Sequence, residues 1–285
     1  MKLNTTIKTL CAAVALATSA AASATPFYLD VGTDYDPTGL HQVTATSTSV
    51  KTEAQYKYKS TTSVFDTNGN GLGAGDSILT TIGLNAIGGT WGNSRITGFD
   101  PSQLGVNDSD NGYGSNYLIS MRSNNLQGII QSVTGAGVPI LAYGAGLIEL
   151  LISFDFGATY NNFMDLKVIS GGSTGLGTLL TGTVDFTNVD PGYNNLFNTT
   201  GQKCNGATGY FDIWSNCQGM PITFAASQDT NVLLSQFSQI GKNVYQLTSN
   251  HDGSVAFDVP EPASIALLGM GLFGLGAIRR RKTAA

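Results

Sequence analysis

Between residues 25 and 259 the apolar positions fall in short runs separated by clusters of Gly, Asn, Asp and Ser. The runs are rich in Val, Ile, Leu, Phe, Tyr and Thr and lack the 3.6-residue period of a helix. They predict many strands joined by tight turns. Representative runs cover residues 27–31, 61–65, 117–121, 163–170, 178–186, 221–226, 243–248 and 254–259. The stretch "LIELLISFDF" at 147–156 is nearly continuous in apolar residues and predicts a strand covered on both faces. "TATSTSVKTEAQYKYKSTT" at 44–62 alternates polar and small residues and predicts an exposed edge hairpin, while "YFDIW" at 210–214 predicts a further strand. The expected fold class is all-β: a β-sandwich, with a jelly roll as one topology.

The two ends depart from this pattern. Lys2 and Lys8 precede an apolar stretch over residues 10–17 that is too short to span a bilayer, and Ala22 and Ala24 supply small residues before a cut at Thr25. This is the three-part layout of a secretory signal peptide over residues 1–24. At the other end, residues 263–278 carry no charge. As a helix they rise about 24 Å, short of the roughly 30 Å hydrocarbon layer. Arg279, Arg280, Arg281 and Lys282 follow and would hold the C-terminus in the cytoplasm, leaving the β domain outside. Pro260 and Pro262 break regular structure running into this helix and keep Glu261 on an extended segment.

Pro260, Glu261 and Pro262, the apolar Gly-rich helix and the terminal Arg cluster resemble the PEP-CTERM sorting signal of Gram-negative bacteria. The resemblance covers residues 260–285. It implies anchoring in the inner membrane through the C-terminal helix and recognition and cleavage by an exosortase, a membrane-embedded cysteine transpeptidase-like enzyme. It also implies sorting to the cell surface or extracellular matrix, in hosts that make exopolysaccharide and form biofilm or flocs. A sorting tail is an address, so the activity of residues 25–259 is not transferred with it.

Composition narrows the partners. Two of the 14 basic residues leave with the signal and four with the tail, whereas of the 19 acids only Glu261 does. The acidic, Lys/Arg-poor remainder gains little from polyanions, which argues against nucleic acid. In an exported chain Cys204 and Cys217, the two cysteines beyond the signal, are expected to form a disulfide.

Candidate chemistry is sparse. In "FDTNGNGLGAGDS", residues 65–77, Asp66, Asn68 and Asn70 alternate and Gly71 follows, as at the start of an EF-hand calcium loop. Ser77 stands where a bidentate Glu is required, with Asp76 one residue early, so calcium competes with a plain Asn/Gly turn. "GGSTG" at 171–175 fits a nucleophile elbow around Ser173, but strand-like sequence on both sides makes it a hairpin turn. His41 and His251 are the two histidines, neither at metal-ligand spacing. Trp91, Trp214, Tyr113 and Tyr117 either stack on sugars or fill the core. The reading is therefore a non-enzymatic, surface-sorted β protein associated with exopolysaccharide, with no cofactor beyond a candidate calcium ion. The alternatives are a secreted carbohydrate-active enzyme built on a carboxylate pair and a calcium-stabilised adhesion module.

Overall fold

The computed structural model describes residues 24–83, 95–99, 108–173, 177–201, 203, 206–217, 221–229 and 232–259. Period-two burial organises it. In β2 (Glu53–Phe65), Ala54, Tyr56, Tyr58, Ser60 and Val64 are buried while Lys57 and Phe65 face water. The same alternation runs through β3 (Ser77–Ile82) and β8 (Gly177–Asp185).

The large sheet also contains β4 (Arg95–Phe99), β5 (Leu118–Val133), β6 (Pro139–Ser153), β7 (Asn161–Ser173), β10 (Thr223–Asp229), β11 (Ser238–Gly241) and β12 (Val244–Asp258). Its pairing runs β2–β3–β5–β6–β7–β8–β10–β12, every pair antiparallel, and β12 then pairs back onto β2. The sheet is thus closed: an up-and-down barrel of eight strands in chain order. β4 takes over from β3 along the early part of β2, and β11 takes over from β10 along the start of β12.

This corrects the expected β-sandwich and its jelly-roll variant. Closure abolishes the free edges that two stacked sheets would keep. It depends on contacts such as Thr61 Oγ1 to Thr248 Oγ1 at 3.0 Å, 187 positions apart in sequence. The edge hairpin expected at 44–62 is corrected with it, because β2 is a fully paired wall strand whose tyrosines point inward. Glycine makes part of the closure feasible. A Cβ on Gly253 would sit 1.9 Å from the Ser227 carbonyl oxygen and one on Gly182 2.0 Å from that of Lys167, so neighbouring strands approach where a side chain is missing.

One end of the barrel is plugged by β1 (Phe27–Leu29) paired with β9 (Phe197–Thr199), and by α1 (Tyr210–Asn216). Phe27 stacks on Phe197 at 5.0 Å between ring centroids, and Phe197 and Tyr210 meet Phe257 edge-on at 5.6 and 5.8 Å. The strand expected at 210–214 is a helix because Tyr210, Ile213 and Cys217, spaced i, i+3 and i+7, turn one face into this cluster. Leu150, Leu151 and Ile152 of β6 are all buried, so the strand end within 147–156 is covered on both faces as expected.

Candidate functional site

Among the described residues, polar chemistry gathers first inside the barrel. Above an apolar layer that includes Tyr56, Met121, Leu150, Leu166 and Val255, the inward positions of β2, β3, β6, β10 and β12 turn polar. Ser60, Thr62, Thr80, Tyr143, Gln228, Ser249 and His251 meet there. His251 Nδ1 lies 3.0 Å from the Asp229 carbonyl oxygen and 3.5 Å from its Oδ1. Both are acceptors, so Nδ1 carries a proton, and Nε2 lies within hydrogen-bond reach of Ser249 Oγ at 2.7 Å and Ser60 Oγ at 3.0 Å. The imidazole stacks on Tyr58 with ring centroids 4.9 Å apart. The Tyr58 hydroxyl donates to Gln228 Oε1, and burial, reinforced by Tyr56, Tyr143 and Asp229, pushes its pKa well above the usual phenol value.

A hydroxyl, an imidazole and a carboxylate in this order are the parts of a serine hydrolase. The space beside them is about 20 Å³, room for roughly one water molecule. Val232 and Phe237 line the same end, and the Leu234 N–H donates to the Gly137 carbonyl to hold that segment on the β5–β6 turn. The group can therefore hold and orient a proton, but an acyl substrate has no room there. Ser173, in the segment expected as a hairpin turn, sits at the end of β7, buried, accepting from the Leu141 N–H at 2.7 Å, where β7 pairs with β8.

The second place is a row of charges in cross-strand register on the outward side of the wall. Arg122 of β5 pairs with Glu149 of β6, Glu149 with Asp165 of β7, and Asp165 with Asp185 of β8. Arg122 Nε donates to Glu149 Oε2. Asp165 is only 1% exposed and accepts from Asn162 Nδ2 at 2.8 Å. Desolvation, followed by the charges of Glu149 and Asp185, raises its pKa, against the opposing pull of the Asn162 bond and Arg122. Sequence reading allowed for a carboxylate pair without naming one; the strand register supplies Glu149 and Asp165.

The third place is the loop between β2 and β3. Asp66 Oδ1 accepts from the Gly69 N–H at 2.7 Å and Oδ2 from the Gly71 N–H at 2.9 Å. Asp76 Oδ1 accepts from Thr67 at 3.2 Å and Oδ2 from Gly73 at 2.8 Å, and Asn68 Oδ1 accepts from Asn70 at 3.1 Å. Each of the four carboxylate oxygens thus accepts from a backbone amide, the bonding of an Asn/Gly turn. Desolvation acts to raise the Asp66 pKa, but the amides of Gly71, Gly69, Asn68 and Asn70 outweigh it and hold the carboxyl below its ordinary range. Among the described residues, no three His, Cys, Asp or Glu side chains converge as a metal site would need.

The remaining expectations scatter. Tyr117 is fully buried and Tyr113 packs against it at 5.4 Å, as core residues do. Trp214 is half-buried against Phe186 and Phe211. His41 is exposed, 2.5 Å from Asp108. Cys217 is buried at the end of α1, and its expected partner Cys204 lies outside the described residues, as do Trp91, the expected signal peptide through Ser23, and the tail from Pro260 onward.

The two ends of the described domain meet. The Thr25 N–H donates to the Phe257 carbonyl at 2.7 Å, and the Val259 N–H donates to Thr25 Oγ1 at 3.0 Å. The family model of the PEP-CTERM protein-sorting motif matches residues 258–282, beginning on the last residue of β12. No curated protein and no solved structure matches the chain. The motif implies export, anchoring through the C-terminal segment and exosortase processing.

Proposed function

We propose that residues 25–259 are a non-enzymatic, exopolysaccharide-associated structural component of the cell surface or extracellular matrix of a Gram-negative bacterium, delivered there by exosortase. The observation that carries this reading is the placement of the sorting motif. It begins on the last residue of the barrel's closing strand, so the barrel leads directly into its address. The interior supports a structural role, since the spaces beside Tyr56 and beside His251 are about 20 Å³ each among the described residues. A sugar polymer fits the exposed chemistry better than a polyanion does. Phe156 is 67% exposed on the β6–β7 turn next to Asp155, a ring and a carboxylate of the kinds that engage sugar faces and hydroxyls.

The sorting step is tested by replacing Glu261 with Ala in the native host. A larger, membrane-retained form is expected; unchanged release and mass would overturn the reading. Polysaccharide retention by the released barrel, lost in Phe156→Ala, tests the association.

The carboxylate-pair enzyme is the second reading, favoured by the raised pKa of Asp165 between two other acids. Its difficulty is that Asp165 is covered. Glycoside hydrolysis by the released protein, abolished in both Glu149→Gln and Asp165→Asn, would establish it.

A further inference from the structure

Lysine is almost never fully enclosed, yet the Lys51 side chain is 0% exposed. Its backbone is fixed by a two-way bridge to Phe27. The Lys51 N–H donates to the Phe27 carbonyl at 2.7 Å, and the Phe27 N–H to that of Lys51 at 2.8 Å. The ammonium donates to Ser49 Oγ at 3.1 Å, and Ser49 Oγ in turn donates to the Ser109 carbonyl at 2.9 Å. Asp110, on the facing segment, is held as firmly. Its carbonyl accepts from the Tyr113 N–H at 3.0 Å and from the Tyr117 hydroxyl at 3.1 Å. On either side of it, Ser109 Oγ donates to Asp36 Oδ2 at 2.8 Å, and the buried Asn111 Nδ2 donates to the Thr33 and Thr46 carbonyls at 2.9 and 2.6 Å.

Between these anchored residues Lys51 Nζ stands 2.6 Å from Asp110 Oδ1. Oδ1 is shut off from water, and Nζ meets it without the alignment of a hydrogen bond. The carboxyl carbon is one C–O bond further, so it lies within about 3.8 Å of the amine nitrogen whatever the angle. Groups fixed this close approach the separation from which a bond forms, and react at effective concentrations on the order of 10⁵ M and above. Enclosing an ammonium also carries a desolvation penalty, which conversion of the ion pair to a neutral amide removes.

We propose that Lys51 and Asp110 condense to an isopeptide bond, a cross-link that the fold makes within its own chain. A proton passes from the ammonium to the carboxylate, the freed lone pair adds to Cγ, and the C–N bond forms. The Cγ–O bond of the protonated oxygen then breaks. Of the three ammonium protons one stays on the amide nitrogen, and two leave with one carboxylate oxygen as water. No oxidant, cofactor or second chain is consumed. The Ser49 hydroxyl, bonded to Nζ, is placed to relay the second proton, and Asp110 is 40% exposed, which gives the water a way out. The link encloses β2, β3 and β4 in one covalent ring and restricts the unfolded chain accordingly. Before the bond forms the two groups are an ion pair, and unfolding measurements that compare its partners refer to that unlinked chain.

Mass spectrometry of the full chain, reduced, denatured and digested with trypsin, tests the proposal. The expected product is a branched peptide that joins residues 96–122 to the peptide ending at Lys57, uncut after Lys51. It is one water lighter than its two arms together. Asp110→Asn offers ammonia as the leaving group, so it is expected to give the identical branched peptide while the intact chain loses one ammonia in place of one water. Lys51→Arg is expected to give neither the branch nor the loss.

Cleavage after Lys51 and an unbranched 96–122 peptide in the native chain overturn the proposal. So does a water loss carried on a single unbranched peptide, which is a succinimide of the kind an Asp-Gly step such as Asp252-Gly253 forms. A branch that fragmentation places at residues other than Lys51 and Asp110 overturns it as well.

Discussion

Lys51 Nζ and Asp110 Oδ1 form an ion pair at 2.6 Å in which the two partners are unequally buried: the lysine side chain is fully enclosed, whereas the aspartate is 40% exposed. The ammonium also donates to Ser49 Oγ at 3.1 Å and faces the Ser109 carbonyl at 3.5 Å. The pair ties the strand-free segment after β1 to the segment leading into β5. Removing the carboxylate leaves a charge enclosed in protein, whereas removing the amine leaves a carboxylate that water can reach. Asp110→Ala is therefore expected to destabilise by about 3 kcal/mol and Lys51→Met by about 1 kcal/mol in urea unfolding. Equal losses, or a larger loss for Lys51→Met, would contradict this asymmetry.

Stability against pH has a different cause on each flank. Hydrogen bonds from the Thr159 hydroxyl and amide, and then from Ser153, hold Asp155 down to about 2, and Asp66 is likewise depressed by its loop amides. Carboxylates with depressed folded pKa values stabilise above the unfolded value near 4. That contribution drains away as pH falls through the folded value. Asp165 has the opposite sign. Its folded value is raised, so the native state binds the extra proton and stability grows as pH falls from neutrality toward 4. At the alkaline end Tyr56, Tyr58, Tyr117, Tyr143 and Tyr210 are all raised, first by desolvation, so the unfolded chain loses phenolic protons that the folded one keeps. Stability is expected to peak on the mildly acidic side, fall steeply below about pH 4 and fall again above about pH 10. A melting series with phenolate absorbance recorded in parallel checks it. Phenolate appearing well before unfolding would overturn the alkaline half.

Asp165 makes a sharper test on its own. Its neutral isostere can still accept from Asn162 and no longer repels Glu149 and Asp185. Asp165→Asn is expected to raise the melting midpoint by roughly 3 °C at pH 7. The gain should shrink as pH is lowered and the native carboxyl becomes protonated. A lower midpoint at pH 7 would mean that the ionised form is held by partners other than those described.

Strand content was legible from the period-two runs; the way the strands close was not. Nothing local in 53–65 announces that this segment pairs with 244–256, because register across so long a separation has no composition signature. The polar interior also misled. Ser60 and Thr62 point into the barrel, so a stretch that looked solvent-exposed on both faces became a wall strand. Aromatic and branched residues in "YFDIW" suggested a strand, although the i, i+3, i+7 spacing of Tyr210, Ile213 and Cys217 was there to be read. The sorting tail was fully legible because its prolines, apolar run and arginines are contiguous. Glu149 and Asp165 become neighbours only through a strand pairing.

The β2–β3 loop separates two accounts of its own rigidity. If Asp66 and Asp76 act as acceptors for loop amides, chelation with EDTA leaves the melting midpoint unchanged, whereas Asp66→Ala lowers it by orphaning the Gly69 and Gly71 amides. Asp66→Asn retains one acceptor oxygen and is expected to fall between the two. A midpoint that drops on chelation and recovers with added calcium would show that the loop is a cation site.

The enclosed histidine decides between a structural and a catalytic interior. His251 bridges β12 to β2 through Ser60 and to β10 through Asp229, across the seam where the first and last strands of the barrel meet. An activated serine in an open site reacts with a fluorophosphonate; Ser60 and Ser249 face a space for about one water and are expected to stay unlabelled in the folded full-length protein. His251→Leu keeps the volume but removes both bridges, leaving the Asp229 carbonyl and the serine hydroxyls to find other partners. It is expected to destabilise by about 2 kcal/mol, with faster amide exchange along both sides of the seam. Stoichiometric labelling of Ser60 or Ser249 in the native chain, lost in His251→Leu, would instead make this cluster a catalytic centre and require the end of the barrel lined by Val232 and Phe237 to open.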